Sequence, residues 1–429
     1  MGFNKKIAQD EARRCPQCAV ATCLPGCPLG IDIPGFIRLL REGDAVLALE
    51  RIKQANPFPS ICGRICPAPC EDACIFNAEG QAISIRELER FAADFGGGKL
   101  EKPGTTASRG KKVAIIGSGP AGMSAAYYLA RANFSVTIFE AAHEPGGLLR
   151  YAIPEFRLPQ KVLDAQFAML KTWGVEVQTD VVLGRTMMID ELFMRGYAAL
   201  LLSVGASLPV FSDLPGTSLG RVYYAMEFLY RLQAVNKDGV INQARQQGIT
   251  TPKTVVIGRG PAAFDAARLS VRLGSQTQIV FDGFEEEALV GQDILKESKE
   301  EGIEMLSMRP LEIVGDDQGN VQGVKCLKLD VLEEKNGLKL EASKEEPVVL
   351  EAQTLIIANG QKPNNFIKQA LPLLKWVDDG SLWVDAQTGM TSMEKIFATG
   401  SVATAGGSVV GAIAGGKLAA EKISKYLTP

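Results

Sequence analysis

The sequence predicts an α/β protein with a helical, cysteine-rich domain followed by two Rossmann-like dinucleotide-binding domains, the second inserted in the first. Eight of the nine cysteines lie between Cys15 and Cys74. Two segments each predict a strand, a glycine turn and a helix in that order. They open with KKVAIIGSGPAG and KTVVIGRGPAAF. Repeated units of this kind indicate parallel sheets covered by helices. A chain of 429 residues is long enough to bury several cores.

The composition limits the classes of partner. The chain is 46% hydrophobic and 22% charged with a net charge of -3, and it has no sustained lysine or arginine block. This balance gives no reason to expect nucleic acid or an anionic membrane as a partner. The amino terminus MGFNKKIAQDEARR is polar, and no apolar run is long enough to span a bilayer. We therefore expect a cytoplasmic protein that binds small molecules or other proteins.

The cysteine pattern predicts metal or cluster ligation. Cys15 to Pro28 reads CPQCAVATCLPGCP, which has the spacing C-x2-C-x4-C-x3-C-P. In a reducing cytosol, this density favours ligation over disulfides. A cysteine followed by proline at the end of a ferredoxin-type run commonly serves the other cluster of a pair. Two zinc sites of four thiolates each are the alternative, because they would use all eight clustered cysteines. Cys326 is expected to be a buried strand residue.

The domain order follows from the periodicity of the chain. Helical patterns occur in IPGFIRLLREGDAVLALERI and ISIRELERFAADF, and a glycine-rich linker GGGKLEKPGTTASRGKK comes next. The segment IFATGSVATAGGSVVGAIAGGKLAAEKI predicts a strand, a turn and a helix that return to the first dinucleotide domain. The predicted domains are residues 1–103 (helical), 104–248 and 371–429 (first dinucleotide domain), and 249–370 (inserted nucleotide domain).

The first dinucleotide motif follows an apolar strand and opens a helix. The turn and the first residues of the helix are predicted to face a pyrophosphate. These residues are Gly117, Gly119, Pro120, Ala121 and Gly122. Glu140 ends the next strand, where its carboxylate can accept hydrogen bonds from both ribose hydroxyls. A tight strand-to-helix turn without a ligand is the simpler alternative.

The second motif is less regular. Gly258, Gly260 and Ala263 keep the spacing, and Asp282 ends the following strand. A carboxylate at that position favours the 2′-hydroxyl of NAD and repels the 2′-phosphate of NADP. The sequence therefore predicts NAD(H) over NADP(H), although a domain that has lost its ligand stays open as an alternative. The single histidine, His143, is expected to be a loop residue, and no residue is predicted to be catalytic.

The motif order CPQC, CLPGCPLG, GRICPAPCEDAC, GSGPAG and GGLLRYAIPEFRLP resembles the small subunit of glutamate synthase. The same module occurs in the amino-terminal half of dihydropyrimidine dehydrogenase and in the larger subunit of bifurcating transhydrogenases. The resemblance covers nearly the whole chain. It implies a helical domain with two 4Fe-4S clusters and an FAD domain that contains an inserted NAD(P)H domain.

The resemblance also implies ligands. Those of the first cluster would be Cys15, Cys18, Cys23 and Cys74, and those of the second would be Cys27, Cys66, Cys70 and Glu89. Cys62 is an alternative ligand near the second cluster, because soft thiolates suit iron-sulfur sites.

Further FAD contacts follow from the same resemblance. Gly146 and Gly147 would border the FAD pyrophosphate, and the segment from Leu148 to Pro159 would run by the flavin. The implied FAD residues beyond the first motif are Gly146, Gly147, Leu148, Arg150, Gly205, Gly400 and Ser401. Ser401 stands where the family has an aspartate. Asp282 and Gly283 stand where an NADPH domain of the family has two arginines.

The resemblance implies an NAD(P)H oxidoreductase in which a hydride passes between the nucleotide and FAD, and single electrons pass through the clusters. The chain lacks the histidine and nucleophile residues of an amidotransferase, so a partner redox subunit is expected. The leading expectation is a subunit of a larger complex that in some relatives bifurcates electrons. A glutamate synthase small subunit and a relay without nucleotide turnover are the alternatives.

Overall fold

The computed structural model describes residues 2–97, 110–233, 249, 251–334, 337–404 and 407–428. Its contacts divide the chain into two compact units, unit 1 (Met1–Arg150, Glu155–Ala206 and Lys362–Pro429) and unit 2 (Tyr151–Pro154 and Ser207–Gln361). Most of unit 2 is therefore an insertion in the sequence of unit 1. The predicted boundary at residues 103 and 104 lies outside the described residues, and the other domain boundaries stay predictions.

The amino-terminal part of unit 1 is helical. Asp32 caps one helix by accepting a hydrogen bond from the Gly35 N–H at 3.0 Å, and Gly43 ends that helix with a φ of 90°. Its apolar face, which includes Phe36, is buried. The helices are α1 (Lys5–Arg14), α2 (Cys23–Gly26), α3 (Ile33–Glu42), α4 (Ala45–Lys53), α5 (Pro59–Ile65), α6 (Pro69–Asp72) and α7 (Ile85–Phe95), with a 3-10 turn at Ile75–Glu79.

The rest of unit 1 is built on a five-stranded parallel sheet. The strands are β1 (Lys112–Ile116), β2 (Ser135–Phe139), β3 (Glu176–Gln178), β4 (Tyr197–Leu202) and β15 (Ile396–Ala398). Their order in the sheet is β15-β4-β1-β2-β3. The central strands are buried and apolar, as expected for a parallel sheet covered on both faces. The helices are α8 (Pro120–Arg131), α9 (Leu148–Tyr151), α10 (Gln160–Thr172), α11 (Ile189–Met194), α15 (Asn365–Ala370), α16 (Ser401–Thr404) and α17 (Val409–Leu427).

The carboxyl-terminal helix α17 packs closely against α8. Ser124 donates a hydrogen bond to the Ile413 carbonyl at 2.6 Å. A Cβ at Gly416 would lie 2.2 Å from the Ala121 carbonyl oxygen, so only glycine permits this approach. The chain thus returns to the first dinucleotide fold, as the sequence predicts.

Unit 2 contains an eight-stranded sheet. The strands are β6 (Val222–Tyr224), β7 (Lys253–Ile257), β8 (Gln276–Phe281), β9 (Glu304–Gly315), β10 (Val321–Glu334), β11 (Gly337–Ala342), β12 (Val348–Glu351) and β13 (Thr354–Ile357). Their order is β11-β10-β9-β8-β7-β13-β6, and β12 pairs with β10. Strands β6, β13, β7, β8 and β9 run parallel, and β10 runs antiparallel to β9. The short strands β5 (Leu208–Pro209) and β14 (Gln361–Lys362) lie outside this sheet.

Helices α12 (Ala225–Gln233), α13 (Pro261–Arg272) and α14 (Gln292–Glu300) and a 3-10 turn (Glu285–Glu287) complete unit 2. Phe228 and Phe264 are fully buried in its core. Cys326 is buried in β10, as predicted. Over the residues that the structure describes, no helix has the length and hydropathy needed to cross a membrane.

Candidate cofactor sites

Four cysteines line one cavity in the helical part of unit 1. They are Cys15, Cys18, Cys23 and Cys74. Cys15 follows α1, Cys23 begins α2, and Cys74 precedes the 3-10 turn. The Thr22 hydroxyl donates to the Ala73 carbonyl and so holds these distant segments together. This is the set that the resemblance implies for the first cluster, and its ligation of a cluster stays a prediction.

A second cavity contains the remaining clustered cysteines. It is lined by Cys27, Cys62, Cys66, Cys70 and Glu89, together with apolar side chains and Val410. Glu89 is buried on α7, and the Asn56 amide donates a 2.7 Å hydrogen bond to its Oε1. Because Cys62 and Glu89 both line the cavity, the geometry leaves both as candidates for the fourth ligand.

Burial makes Cys66 and Glu89 in the second cavity hard to ionise. Burial raises the pKa of Cys66 to about 12, and repulsion from Glu89 adds to the shift. Burial also raises the pKa of Glu89 to about 8, against the opposing effect of the Asn56 hydrogen bond. Since cluster ligands bind in the deprotonated form, iron binding here would release protons.

The donor sets fit iron-sulfur clusters. All nine cysteines are free, and the eight clustered ones surround two cavities. Soft thiolates are the ligands that such clusters prefer. Among the described side chains, no group of three or more histidine, cysteine, aspartate or glutamate residues is arranged to hold a metal ion, so the fit to clusters rests on the kind and number of donors around each cavity.

The first glycine motif forms a tight turn between β1 and α8. Gly117 has a φ of 100°, and a Cβ there would lie 2.5 Å from the Ser203 carbonyl oxygen. A Cβ at Gly122 would lie 2.0 Å from the Gly117 carbonyl oxygen. Gly119 precedes Pro120 and Ala121 at the start of α8, and a Cβ on it would meet no protein atom within 4 Å. The turn therefore leaves open space in front of a helix amino terminus, which suits a pyrophosphate.

Glu140 is held at the end of β2 by a hydrogen-bond network. Its Oε1 accepts from the Ala142 N–H and its Oε2 from the Ser118 N–H, both at 2.9 Å. The Ser118 hydroxyl donates to the same Oε2 and accepts from the Gly146 N–H at 2.8 Å. Ser118, which the sequence analysis did not single out, thus links the predicted ribose carboxylate to the glycine pair. It occupies a variable position of the motif, and the motif itself carries no signal for its role.

The glycine pair lies beside the first turn. Gly147 has a φ of 54°, and a Cβ on it would lie 3.2 Å from the Gly119 Cα. Leu148 begins α9 directly after it. Arg150 is buried, and it donates to the Pro145 carbonyl at 2.7 Å, to Gln160 at 3.0 Å and to Asp164 at 2.6 Å. The contacts of Arg150 therefore hold the loop, and its predicted contact with FAD stays a prediction.

The remaining predicted residues follow two neighbouring strands of the same sheet. Gly205 lies after β4 and Gly400 after β15, with φ values of 71° and 73°. A Cβ at Gly400 would lie 2.9 Å from the Ala121 Cβ, and Ser401 begins α16. Carboxyl ends of parallel strands meet at one edge, which is where such sheets bind ligands. The helix of the carboxyl-terminal segment, α17, begins at Val409 with Ser408 as its cap.

The second glycine motif repeats the backbone arrangement of the first. Gly258 has a φ of 142°, and a Cβ there would lie 2.6 Å from the Ala358 carbonyl oxygen. Gly260 caps α13 and a Cβ on it would meet no protein atom within 4 Å, while Ala263 is buried within the helix. Unit 2 therefore offers a second space for a pyrophosphate.

Asp282 follows β8 at the carboxyl edge of the sheet, where it is ion-paired. The Arg309 Nε donates to the Asp282 Oδ2 at 2.6 Å. The Arg259 Nη1 lies 3.8 Å from the Glu287 Oε2. The sequence analysis did not identify Arg309, because its partner Asp282 is distant in the sequence.

His143, which the sequence analysis expects to be a loop residue, is exposed on its loop.

Two family profiles match the chain. One is described as dihydropyrimidine dehydrogenase domain II, 4Fe-4S cluster, and matches residues 1–99. The other is described as pyridine nucleotide-disulphide oxidoreductase and matches residues 111–416. The chain is also 31% identical to the glutamate synthase [NADPH] small chain of Escherichia coli, over 99% of this chain and 92% of that one. The chain belongs to the glutamate synthase small-chain family of iron-sulfur flavoproteins.

A further relative agrees with this family, and a solved structure agrees with the fold. The chain is 29% identical to the NADP(+)-dependent formate dehydrogenase subunit beta of Moorella thermoacetica, over 95% of this chain and 60% of that one. Its fold resembles that of Mycobacterium tuberculosis FprA in complex with NADPH, with a TM-score of 0.58, 19% identity, and coverage of 74% of this chain and 84% of that one. The predicted fold class and the prediction of an FAD and iron-sulfur dependent NAD(P)H oxidoreductase are confirmed.

Proposed function

We propose that this family member is the electron-input subunit of a larger redox complex, which takes electrons from NAD(P)H and delivers them through two 4Fe-4S clusters to a partner subunit. The observation that carries this proposal is the position of Val410. Val410 lies in the first turn of α17, the helix that packs on the dinucleotide helix α8, and it also lines the second cysteine cavity. One helix thus connects the predicted FAD site to the predicted cluster site.

The side chains of this chain bind and orient the cofactors. Gly119 would leave room for the FAD pyrophosphate and Glu140 would accept hydrogen bonds from the adenosine ribose, while Ser118 fixes both Glu140 and Gly146. When bound, FAD exchanges a hydride with the nucleotide and the clusters carry single electrons, so no side chain has to act as a general acid or base. Arg150 is a positioning residue for the loop that contains the glycine pair.

The two cavities support the division of ligands between two clusters. The first cluster would be bound by Cys15, Cys18, Cys23 and Cys74. The second would be bound by Cys27, Cys66, Cys70 and Glu89, with Cys62 as the alternative fourth ligand. The Asn56 hydrogen bond supports Glu89, because it orients this carboxylate within the cavity.

NADH is the favoured nucleotide in this proposal, because Asp282 stands at the ribose end of the second site. FAD would contact the first motif, the glycine pair, Gly205, Gly400 and Ser401. The nucleotide would contact Gly258, Gly260, Ala263 and Asp282. Electron bifurcation by the complex stays a prediction from the resemblance.

A glutamate synthase small subunit is the second candidate function, favoured by the 31% identity to the Escherichia coli small chain over nearly the full length of both proteins. The relative named as a formate dehydrogenase beta subunit favours a different partner. Co-purification of the tagged chain from its own cells, followed by assays of glutamine-dependent glutamate formation and formate oxidation, separates the two. Glutamate formation in the purified complex would support the glutamate synthase candidate, and formate oxidation would support a formate dehydrogenase partner.

Iron and sulfide analysis tests the proposed clusters. We expect about eight iron and eight sulfide per chain, the content of two 4Fe-4S clusters. Cys74→Ser and Cys66→Ser should each lower the iron content by up to about half, and each should alter the electron paramagnetic resonance signal of a different cluster. Cys326→Ser, in unit 2, is the matched control and should retain the full content. Zinc in place of iron, or loss of both signals in one cavity variant with the chain still folded, would contradict the assignment.

A further inference from the structure

We propose that Arg309 provides a recognition group for the 2′-phosphate of NADPH, so that Asp282 and Arg309 together allow the second dinucleotide site to use both NADPH and NADH. This inference rests on the proposed function of unit 2 as the NAD(P)H site. It differs from the expectation based on Asp282 alone, which favours NADH.

The sheet register brings the two side chains together. Strands β8 and β9 are parallel, with Phe281 opposite Ser307. Asp282 directly follows Phe281, and Arg309 lies two positions beyond Ser307 on the neighbouring strand. Both side chains therefore reach the carboxyl edge of the sheet, where a parallel dinucleotide fold binds the adenosine ribose. The 2.6 Å contact between Arg309 Nε and Asp282 Oδ2 fixes their proximity.

The positive charge of Arg309 beside Asp282 weakens the repulsion that Asp282 exerts on the 2′-phosphate of NADPH. An unpaired aspartate repels the 2′-phosphate, but a guanidinium in contact with it offsets that repulsion. The Arg309 Nε donates a hydrogen bond to Asp282. Within the described part of the chain, the two terminal nitrogens of Arg309 have no protein acceptor. Its side chain is 46% exposed and that of Asp282 is 43% exposed, so a nucleotide can approach both. A planar guanidinium with available N–H donors is well suited to bind phosphate oxygens.

Each partner has a different role in this arrangement. Asp282 retains an oxygen that can accept from the ribose hydroxyls of NADH. Arg309 can donate to the 2′-phosphate of NADPH while it remains beside Asp282. Arg259 also lies near this edge, because its Nη1 is 3.8 Å from the Glu287 Oε2 and 3.5 Å from the position of a Cβ at Gly283, but its ion pair is with Glu287 and not with Asp282.

The test is the nucleotide preference of the holoprotein, measured as kcat/KM for NADH and for NADPH with ferricyanide as the electron acceptor. Wild type should oxidise both nucleotides. Arg309→Gln should lower kcat/KM for NADPH by about tenfold or more, because a charge-assisted phosphate contact is lost, and leave the value for NADH within about twofold. Asp282→Asn should shift the preference in the opposite direction, toward NADPH.

Matched variants separate a specific role from a structural one. Arg309→Lys keeps the charge but loses the fork of donors, so its NADPH value should fall between those of wild type and Arg309→Gln. Arg231→Gln removes another exposed arginine that is paired with a carboxylate, Glu227, and should leave the preference unchanged. FAD content and thermal melting would verify that each variant is folded.

Two results would overturn the inference. One is a wild-type protein that oxidises NADH but not NADPH, and the other is an Arg309→Gln variant that keeps the wild-type ratio of the two kcat/KM values. A wild-type protein with full FAD and iron content that oxidises neither nucleotide would instead contradict the proposed function, and this inference would fail with it.

Discussion

The backbone N–H and the hydroxyl of Ser118 both donate to the same carboxylate oxygen, Oε2 of Glu140. The Ser118 hydroxyl also accepts a hydrogen bond from the Gly146 N–H. One buried side chain therefore orients the carboxylate proposed to bind ribose and fixes the glycine loop proposed to border the pyrophosphate. Because buried hydrogen bonds to a charged group are among the stronger ones, this arrangement should affect FAD affinity.

Replacement of Ser118 by alanine should weaken FAD binding. The variant loses the hydroxyl contacts to Glu140 and Gly146, and we expect about a tenfold or greater increase in the dissociation constant for FAD. Fluorescence titration of the deflavinated protein with FAD would measure it. Ser124→Ala is the matched control, since Ser124 is a buried serine on α8, the helix that follows Ser118, and its hydroxyl donates to the Ile413 carbonyl. An equal loss of FAD affinity in both variants would contradict the specific role of Ser118.

Alanine at the two open glycines should separate cofactor binding from folding. Gly119 and Gly260 both have negative φ values, and a Cβ on either would meet no protein atom within 4 Å. Gly119→Ala should therefore keep the melting temperature of the FAD-free protein but weaken FAD binding. Gly260→Ala should keep the FAD content and raise the KM for the nucleotide, because a methyl group would occupy the space proposed for each pyrophosphate.

The melting temperatures of Gly119→Ala and Gly260→Ala decide whether the space at each glycine is a ligand space. If either variant lowers the melting temperature of the cofactor-free protein by as much as Gly117→Ala, the space in front of the helix is not a ligand space. Gly117→Ala is the control for a structural defect, because its Cβ would lie 2.5 Å from the Ser203 carbonyl oxygen.

The ion pairs of Glu301 predict how stability depends on pH. Burial alone would raise its pKa, but hydrogen bonds from Arg272 and Arg268 outweigh that effect and lower the pKa to about 2, from an ordinary value of 4.5. Since the folded-state pKa lies below the unfolded one, this carboxylate stabilises the fold above about pH 4.5, and the contribution is lost as the pH falls toward 2. Glu301→Gln should thus lower the melting temperature at pH 7, with a smaller difference from wild type at pH 3.

Glu300 is the matched control for Glu301. It lies 4.0 Å from Lys296 in an exposed pair, and such pairs contribute little to stability. Glu300→Gln should leave the melting temperature nearly unchanged at both pH values. A Glu301→Gln variant whose destabilisation grows as the pH falls would show that the sign of the linkage is wrong.

Local patterns in the sequence predicted the parts of the sites that are contiguous in the chain. The turns at Gly117 and Gly258 could be recognised because strand, glycine spacing and helix occur together. The division of the clustered cysteines required the resemblance, because Cys74 joins Cys15 only through the packing of separate helices.

Contacts between distant segments could not be predicted in this way. Arg309 reaches Asp282 through the register of β8 and β9, which no local pattern specifies. Val410 reaches the second cavity through the packing of α17 in unit 1. The guanidinium of Arg150 donates to the Pro145 carbonyl in a loop and to the Asp164 carboxylate on a helix, and only the folded chain brings these acceptors together.

Anaerobic titration of the purified protein with NADH, followed by the absorbance of the flavin and of the clusters, tests the central claim most directly. The account predicts that NADH bleaches the flavin and that the cluster absorbance then falls in the same protein, with no partner added. Titration with NADPH in parallel reports on the nucleotide preference. A protein with full FAD and iron content whose absorbance stays unchanged with both nucleotides would contradict the proposal that this chain is the electron-input subunit.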